Sequence, residues 1–218
     1  MVEYMEERNL FNAKQHGFRS GRSCLSQLME HYNHILDLLE DGSNVDVIYI
    51  DFAKAFDKVD HQVTLTKLRQ MGITGKVGRW IHCFLTNRTQ QVLVHGSRSS
   101  EKQVKSGVPQ GSVLGPLLFL ILIGDIDQDI ADAFLSSFAD DTRIGNKITS
   151  PEDSKALQAD LDKIYTWTTE NNMELNGDKF ECLRYGPDKE LQSTTQYTSN
   201  TGIQIQEKDH VKDLGVTI

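Results

Sequence analysis

The chain has 218 residues, of which 38% are hydrophobic and 25% are charged, and its formal net charge is −8. A chain of this length buries roughly 70% of the surface that its unfolded form exposes, which is enough for one domain. It contains no apolar run of the roughly 18–20 residues that a membrane-spanning helix needs. The first ten residues, MVEYMEERNL, lack the pattern of a signal peptide. We therefore expect neither a membrane-spanning protein nor export.

Charge is distributed unevenly along the chain. Lys54 to Lys105 contains ten basic and three acidic residues, a net charge of +7. Ser106 to Asp178 contains four basic and thirteen acidic residues, a net charge of −9. The first stretch could attract a polyanion and the second could hold cations. The alternative is that both are simply solvated faces of opposite charge.

The cysteines and histidines predict no metal site. Cys24, Cys83 and Cys182 are scattered and odd in number, which is typical of free thiols in a reducing compartment. His31 and His34 lie on one predicted helix but lack Cys or acidic partners at zinc spacing, so we expect them at the surface.

Residue periodicity predicts alternating helices and strands. Helices are predicted over 23–42, 61–72, 75–87, 111–126 and 150–172. Strands are predicted over 45–51, 132–139, 141–146, 179–186, 202–206 and 210–218, with a hairpin over 88–107 that turns at 95–97. This order indicates an α+β fold with a largely antiparallel sheet and helices on one face. Ser23 and Ser150 are the expected N-caps, and Trp80 and Trp167 are expected in the core.

Three carboxylates follow predicted strands. Asp51 ends one strand, and Asp140 and Asp141 occupy the turn between two others. If these strands are neighbours, the carboxylates meet at one end of the sheet and repel one another unless a cation lies between them. A pair of Mg²⁺ ions suits such a site, because Mg²⁺ prefers oxygen ligands and two ions can catalyse phosphoryl transfer. Taken alone, two adjacent aspartates are more often an ordinary turn.

Two neighbouring segments strengthen the prediction of a site. The stretch SGVPQGSVLGP (106–116) is punctuated by glycines that let the backbone approach a ligand. Within it, Gln110 could offer its amide to a base or sugar. In DFAKAFDKVDH (51–61), the Phe56 ring could form a wall beside the metals. A simple loop before a helix and an ordinary core phenylalanine are the alternatives, and Asp57 and Asp60 are expected to cap a helix start.

An ordered set of motifs carries a family resemblance. The motifs are QHGFRSGRSC (15–24), VIYIDFAKAFDKVDH (47–61), SGVPQGSVLGPLLFLIL (106–122), FADD (138–141), NNMELNGDKFECLRYG (171–186) and VKDLGVTI (211–218). Together they resemble the reverse transcriptase domain of non-LTR (LINE-type) retrotransposons, and the jockey-like branch most of all. The resemblance covers nearly the whole chain.

The resemblance implies catalytic roles for four residues. Asp51 matches the first catalytic carboxylate, a ligand to both metals. Asp140 matches the second metal ligand, and Asp141 matches its companion acid. Lys179 resembles the lysine proposed to protonate the leaving pyrophosphate.

The same resemblance implies contacts with nucleotide and template. Phe56 stands at the steric-gate position, where an aromatic ring would crowd a 2′-hydroxyl and favour dNTPs. The loop that contacts template and incoming nucleotide is matched by Pro109, Gln110 and Gly111. Arg19 and Arg22 lie in the fingers-side segment and could meet phosphate or template. A solvated role near a helix start is the alternative for both arginines.

The implied fold is a reverse-transcriptase-like palm, an antiparallel sheet backed by helices, with part of the fingers and no thumb. The whole chain (1–218) would form one partial domain. The palm would comprise 46–61 and 106–218, ending at the primer-grip region that 211–218 resembles. The stretches of about 1–45 and 62–105 would lie on the fingers side or connect to it.

The implied activity is RNA-directed DNA polymerisation by two-metal nucleotidyl transfer. Its partners would be an RNA template, a DNA primer and dNTPs, with two Mg²⁺ ions or Mn²⁺ in their place, and no membrane. Because family members work in the nucleus, we expect an intracellular, nuclear protein. The sequence does not indicate an oligomeric state.

Two other functions stay open. The chain could be a truncated, catalytically inactive remnant that binds nucleic acid or a protein partner. A two-metal nuclease would use similar carboxylates, but SGVPQG and the position of Phe56 have no evident hydrolytic role.

Overall fold

The computed structural model of the chain describes residues 1–40 and 42–218. Its helices are α1 (Val2–Glu7), α2 (Cys24–Leu39), α3 (His61–Gln70), α4 (Gly75–Leu85), α5 (Leu114–Ile123), α6 (Pro151–Glu170) and α7 (Lys189–Thr194), with a 3₁₀ turn at Gly177–Lys179. Its strands are β1 (Asn44–Ile50), β2 (Thr89–Gln90), β3 (Leu93–Val94), β4 (Ser97–Arg98), β5 (Lys102–Gln103), β6 (Phe134–Phe138), β7 (Asp141–Ile148), β8 (Glu181–Tyr185), β9 (Gln206–Lys208), β10 (Lys212–Asp213) and β11 (Val216–Thr217). None of the helices in the described ranges has the length and hydropathy needed to cross a bilayer.

A five-stranded sheet in the order β6-β7-β1-β8-β9 forms the centre of the fold. The pairs β6–β7, β7–β1 and β1–β8 are antiparallel, and β8–β9 is parallel. The expectation of a largely antiparallel sheet in an α+β fold is therefore confirmed.

Helices cover both faces of this sheet, so the expectation of helices on one face is wrong for α2. Val45 and Val47 of β1 form a small core with Ile35 of α2. Ile48 and Ile50 point into the main core on the opposite face, together with the buried side chains of α5 and α6. Val45, Val47 and Tyr49 lie in one row of β1, and Ile48 and Ile50 lie in the other, so both faces of the strand carry apolar side chains that another element must cover.

Hydrogen bonds confirm the predicted starts of α2, α3 and α6, whereas the helix predicted over 111–126 begins only at Leu114. Ser23 caps α2 in a capping box with Ser26, and Ser150 caps α6 in a capping box with Asp153. Asp60 caps α3, as expected for a helix-start residue, because its side chain accepts from two backbone N–H groups. Helix α5 is buried over nearly its whole surface, as its continuous apolar sequence predicts.

The hairpin predicted over 88–107 is present and mostly exposed. Its tight turn contains His95 at φ 47° and Gly96 at φ 82°, a left-handed pair that suits a two-residue hairpin connection. The stretch predicted as a strand over 210–218 is also a hairpin, which turns at Leu214 and Gly215, both at positive φ.

Several elements and side chains differ from expectation. Helices α1 and α7 were not predicted, and β9 begins at Gln206 instead of occupying 202–206. His31 is buried at 2% exposure and Trp80 is 60% exposed, so the predictions for both are wrong. Trp167 packs against the main core as expected, and the three cysteines are free thiols.

Candidate active site

Strand pairing brings the three predicted carboxylates to one end of the sheet. Ile50, the last residue of β1, pairs with Thr142 of β7, so Asp51 and Asp141 follow and precede that pair on adjacent strands. Phe138 pairs with Asp141 across the β6–β7 turn, which leaves Ala139 and Asp140 as the turn residues. A short turn and a continuous register thus place these acids together.

Just after β1 ends, the backbone at 51–53 pairs with the backbone at 174–176, which fixes the position of Asp51. The amide of Asn176 donates to the Asp51 carbonyl over 2.9 Å, and the amide of Ala53 donates to the Glu174 carbonyl over 2.9 Å. The Asn176 side-chain amide also donates to Asp51 Oδ2. Lys179 Nζ lies 3.4 Å from the same oxygen, and both side chains are substantially exposed. Both the backbone carbonyl and the carboxylate of Asp51 are therefore held in place by these contacts.

The electrostatics of the turn show that the acids interact. Burial raises the pKa of Asp140, and the charge of Asp51 raises it further. Burial also raises the pKa of Asp141, followed by the charge of Asp140, while Arg143 opposes the shift. Asp213 and Asp51 add smaller contributions in the upward direction. A cation placed among these groups would relieve this repulsion.

A small cavity of about 140 Å³ opens beside the carboxylates. It is lined by Tyr49, Ile50, Asp51, Asp141, Thr142, Arg143, Lys179, Glu181, Lys212, Asp213 and Leu214. Two of its residues, Arg143 and Asp213, form a buried ion pair that joins β7 to the hairpin at 211–218. The sequence alone does not predict this pair, although Arg143 closely follows the aspartate turn and Asp213 lies in the motif VKDLGVTI.

The donor set fits a hard divalent cation. Asp51, Asp140 and Asp141 offer only carboxylate oxygens, which Mg²⁺ and Mn²⁺ favour. Within residues 1–40 and 42–218, no three His, Cys, Asp or Glu side chains are grouped closely enough to hold a metal by themselves. Mg²⁺ is commonly bound by one or two carboxylates together with water and substrate phosphates, so a complete protein cage is not required.

Phe56 lies in an aromatic stack downstream of Asp51. Its ring stacks on Phe119 of α5, with centroids 4.7 Å apart and an interplanar angle of 29°. Phe18 meets it edge-on, at 6.0 Å and 87°. The ring is half-buried, so one part packs in the core while another part stays accessible.

The glycine-punctuated loop packs on the same turn as Phe56. Val108 donates its amide to the Phe56 carbonyl over 3.0 Å. The Gln110 side-chain amide donates to Asp57 Oδ1 over 3.1 Å, and both residues are exposed. Gly111 is exposed with φ 76°. The structure therefore brings Phe56 and Gln110 to one surface.

Hydrogen bonds fix the beginning and end of this loop. The amide of Gly107 donates to the Val59 carbonyl over 2.8 Å. The Pro109 carbonyl accepts from the hydroxyl of Ser112 over 2.6 Å, which closes the turn before α5. The loop is thus held by a hydrogen bond to Val59 and by another within itself, and it leaves the Gln110 side chain at the surface.

The two arginines predicted to meet phosphate have partners within the N-terminal segment. Arg19 donates to both carboxylate oxygens of Glu6, over 2.9 and 2.8 Å, and to the Asn12 carbonyl over 3.1 Å. Arg22 donates to the Ala13 carbonyl over 2.9 Å. These contacts give both guanidinium groups a structural role in the segment before α2.

Solved structures share this fold. Apo telomerase from Candida tropicalis, truncated from its C-terminal domain, matches with a TM-score of 0.67 at 12% identity, over 100% of this chain and 41% of that chain. Telomerase from Candida albicans in complex with a fragment of telomeric RNA matches with a TM-score of 0.66 at 12% identity, over 100% of this chain and 36% of that chain. At such low identity the likeness shows the fold alone, and it agrees with the expected palm.

Sequence relatives identify the family. The model of reverse transcriptase (RNA-dependent DNA polymerase) matches residues 1–218. The probable RNA-directed DNA polymerase from transposon BS of Drosophila melanogaster is 28% identical over 99% of this chain and 24% of its own length. The RNA-directed DNA polymerase from mobile element jockey of the same species is 29% identical over 94% of this chain and 23% of its own length. This chain thus spans about a quarter of the length of these curated relatives, and it belongs to the reverse transcriptase family, as its resemblance to the jockey-like branch predicted.

Proposed function

We propose that this chain carries the catalytic palm of a non-LTR retrotransposon reverse transcriptase, which adds dNTPs to a DNA primer on an RNA template. The observation that supports this most is the convergence of Asp51 with Asp140 and Asp141 at one end of the sheet. Family membership supports the reaction class. The oxygen-only donor set supports the use of metal.

Asp51 and Asp140 would hold two Mg²⁺ ions, or Mn²⁺ in their place, with Asp141 as the companion acid. When bound, the ions supply charge stabilisation to the attacking and leaving oxygens of an in-line displacement. Asn176 orients the Asp51 carboxylate through its hydrogen bond. Lys179, whose Nζ lies 3.4 Å from Asp51 Oδ2, would carry the proton that the leaving pyrophosphate takes up. The protein's main contribution is to orient these groups before the reaction begins.

The surface formed by Phe56 and the loop at 106–112 would receive the incoming nucleotide. The Phe56 ring would exclude a 2′-hydroxyl, and its stacking on Phe119 would keep it in place. The loop contacts with template and nucleotide would come from Pro109, Gln110 and Gly111. The hairpin at 211–218 would act as the primer grip.

Arg19 and Arg22 are the remaining predicted contacts with template or phosphate. Their present partners, Glu6 and backbone carbonyls, would have to be exchanged or shared for that contact. A structural role already explains the observed hydrogen bonds of both arginines, so the proposed polymerase activity does not depend on their contact with template or phosphate.

We propose that the chain divides into palm and fingers-side segments as the family resemblance implies. Residues 46–61 and 106–218 would form the palm, and about 1–45 and 62–105 would lie on the fingers side, although α2 packs against β1 and β6 of the sheet. The proposed site of action is the nucleus.

Primer extension tests the proposal. The chain is incubated with a poly(rA)/oligo(dT) duplex, dTTP and Mg²⁺, beside Asp140→Asn and the matched control Asp178→Asn, which changes an exposed acid next to Lys179. Extension by wild type and Asp178→Asn that is lost in Asp140→Asn is the expected result. Near-normal extension by Asp140→Asn contradicts the assignment.

Other outcomes would identify the alternatives. Retention of the duplex without extension would favour a nucleic-acid-binding remnant. Release of mononucleotides without any need for dTTP would favour a nuclease.

A further inference from the structure

The side chain of Gln15 forms hydrogen bonds with the backbone of the aspartate turn. Its Oε1 accepts from the Ala139 amide over 2.7 Å, and its Nε2 donates to the Ala139 carbonyl over 2.9 Å. Oε1 also accepts from the Gly17 amide over 2.7 Å. Gln15 is only 4% exposed, so these bonds are shielded from competition by water. One buried amide therefore satisfies both polar backbone groups of the residue that precedes Asp140.

The backbone around Gln15 extends this contact along β6. Ser137 pairs with Gln15 in a parallel bridge. The amide of His16 donates to the Ser137 carbonyl over 2.9 Å, and the Ser137 amide donates to the Lys14 carbonyl over 3.2 Å. Strand β6 is at the edge of the sheet, where unpaired backbone groups would otherwise remain. The segment before α2 thus docks on the strand that leads into the turn.

Gly17 allows the close approach that the contact requires. A Cβ at this position would lie 2.3 Å from the Ala139 nitrogen and 2.9 Å from its Cα, which is closer than real atoms come. Only glycine fits there without moving the turn. The motif QHG therefore supplies both the Gln15 amide that bonds to Ala139 and the glycine, Gly17, that lets the two segments approach.

The backbone of Ala139 needs hydrogen-bond partners from outside the turn, because the residue is buried in an unfavourable conformation. Ala139 has φ 54°, in the left-handed region that is unfavourable for a residue with a Cβ. It is 6% exposed, so its amide and carbonyl cannot rely on water. Without a partner, rotation of Ala139 to negative φ would change the direction in which the chain delivers Asp140.

We propose that Gln15 is a positioning residue, which fixes Asp140 by holding the backbone of Ala139. The inference rests on the proposed function, in which Asp140 is a metal ligand. Gln15 itself touches neither metal nor substrate, and it acts only through the geometry of the turn.

The first test uses the metal-free chain and does not depend on activity. Gln15→Met removes the amide at nearly constant volume. Gln27→Met makes the same change at another buried glutamine, on α2, whose Nε2 has no hydrogen-bond partner among residues 1–40 and 42–218. Hydrogen exchange and the backbone amide shifts of Ala139, Asp140 and Asp141 are measured by NMR. We expect Gln15→Met to speed exchange at Ala139 by roughly 10- to 100-fold, as the loss of two buried hydrogen bonds implies, and to move the two aspartate shifts.

The controls separate a local effect from general destabilisation. Gln27→Met should keep wild-type exchange and shifts at the turn. If Gln15→Met does not fold, Gln15→Asn replaces it, because the shorter side chain keeps a polar group but cannot span both atoms of Ala139. Unchanged exchange and shifts at the turn in a folded Gln15 variant overturn the proposal, whether or not the chain polymerises.

The second test asks whether positioning matters for metal use. In primer extension, Gln15→Met should raise the Mg²⁺ concentration for half-maximal rate by roughly tenfold, whereas Gln27→Met should leave it unchanged. A changed turn in the NMR data with an unchanged Mg²⁺ requirement would reduce Gln15 to a structural role and overturn the proposal. If wild type and variants all fail to extend, the proposed function fails, and the NMR result still decides whether Gln15 positions Asp140.

Discussion

Arg143 and Asp213 form an ion pair in which both side chains are almost fully buried, at 1% and 2% exposure. The pair joins the strand that begins with Asp141 to the hairpin at 211–218. The Tyr32 hydroxyl also donates to Asp213, over 3.3 Å. Because Arg143 stands two residues after Asp141, this pair ties the hairpin to the strand beneath the candidate metal site.

Removing one partner of this pair should be costly, because the other charge would stay buried without compensation. We expect Arg143→Met or Asp213→Leu alone to lower the free energy of unfolding by about 3–5 kcal/mol. The double variant should regain a large part of that loss. Urea denaturation of the four proteins measures the coupling. Additive losses in the double variant would show that the two charges do not depend on each other.

Gly107 and Gly111 provide a matched pair for the loop at 106–112. Both have positive φ, at 82° and 76°. A Cβ at Gly107 would lie 2.7 Å from the Asp57 carbonyl oxygen, whereas a Cβ at Gly111 would have no atom of the other described residues within 4 Å, its two chain neighbours aside. Gly111→Ala should cost about 1 kcal/mol from backbone strain alone. Gly107→Ala should cost more than Gly111→Ala and displace the loop from Asp57. Equal losses in thermal unfolding would contradict this account of the loop.

His31 should make the protein sensitive to mild acid. Burial lowers its pKa to about 3, with smaller contributions from the charges of Arg143 and His34. The folded chain therefore keeps His31 neutral, while the unfolded chain binds a proton below about pH 6.5. Stability from this group is complete above that value and is lost as the pH falls toward the folded pKa.

The measurement compares His31→Gln with wild type by urea unfolding at pH 7.5 and 5.5. Wild type should lose about 1.4 kcal/mol more than the variant over this interval, because one proton per pH unit is worth that amount. Gln27→Met, a non-titrating change on the same buried face of α2, should keep the wild-type dependence. An identical pH dependence in His31→Gln and wild type would contradict the burial of a neutral imidazole.

Phe56 should control the choice of sugar. Phe56→Ala removes the ring that would crowd a 2′-hydroxyl, so discrimination against ribonucleotides should fall by a factor on the order of 100, as expected for a contact that rejects one hydroxyl. Phe56→Tyr retains the ring and serves as the control. Single-nucleotide incorporation of dTTP and UTP gives the ratio of kcat/KM values. Unchanged discrimination by Phe56→Ala, in a variant that still extends with dTTP, would remove Phe56 from this role.

Local patterns were sufficient to predict the centre of the fold. Strand β1 could be predicted because its end is apolar on both faces, and the β6–β7 hairpin because an apolar run ends in two aspartates. The convergence of Asp51 with that turn followed once the strands were taken as neighbours. The starts of α2 and α6 were found because Ser23 and Ser150 are N-caps, whose chemistry is local in sequence.

Contacts between distant positions could not be predicted in this way. Gln15 meets Ala139 across 124 positions, and Arg143 meets Asp213 across 70. No local period encodes such side-chain pairs. His31 was expected at the surface because a polar residue usually is, but its ring hydrogen-bonds to Ser136 over 3.1 Å inside the α2–sheet interface. Tertiary packing decided these positions.

The same limit explains two further errors, one in the bounds of a strand and one in the burial of a side chain. The alternation in 202–206 predicted a strand, but pairing with β8 begins only at Gln206. Trp80 was placed in the core because it occupies an apolar stretch of α4. In the structure it stacks on Phe84, with centroids 5.6 Å apart, and stays mostly exposed. A hydrophobic residue on a helix need not face the core.

Direct measurement of metal binding tests the central claim, that Asp51 and Asp140 form a divalent-cation site. Mn²⁺ is titrated into the chain and followed by electron paramagnetic resonance, with Asp51→Asn, Asp140→Asn and the control Asp178→Asn in parallel. The account predicts that wild type and Asp178→Asn bind Mn²⁺, that Mg²⁺ competes for the site, and that either active-site variant weakens binding by at least about tenfold, because a lost carboxylate charge is worth more than 1.4 kcal/mol there. Equal Mn²⁺ affinity in wild type, Asp51→Asn and Asp140→Asn would contradict it.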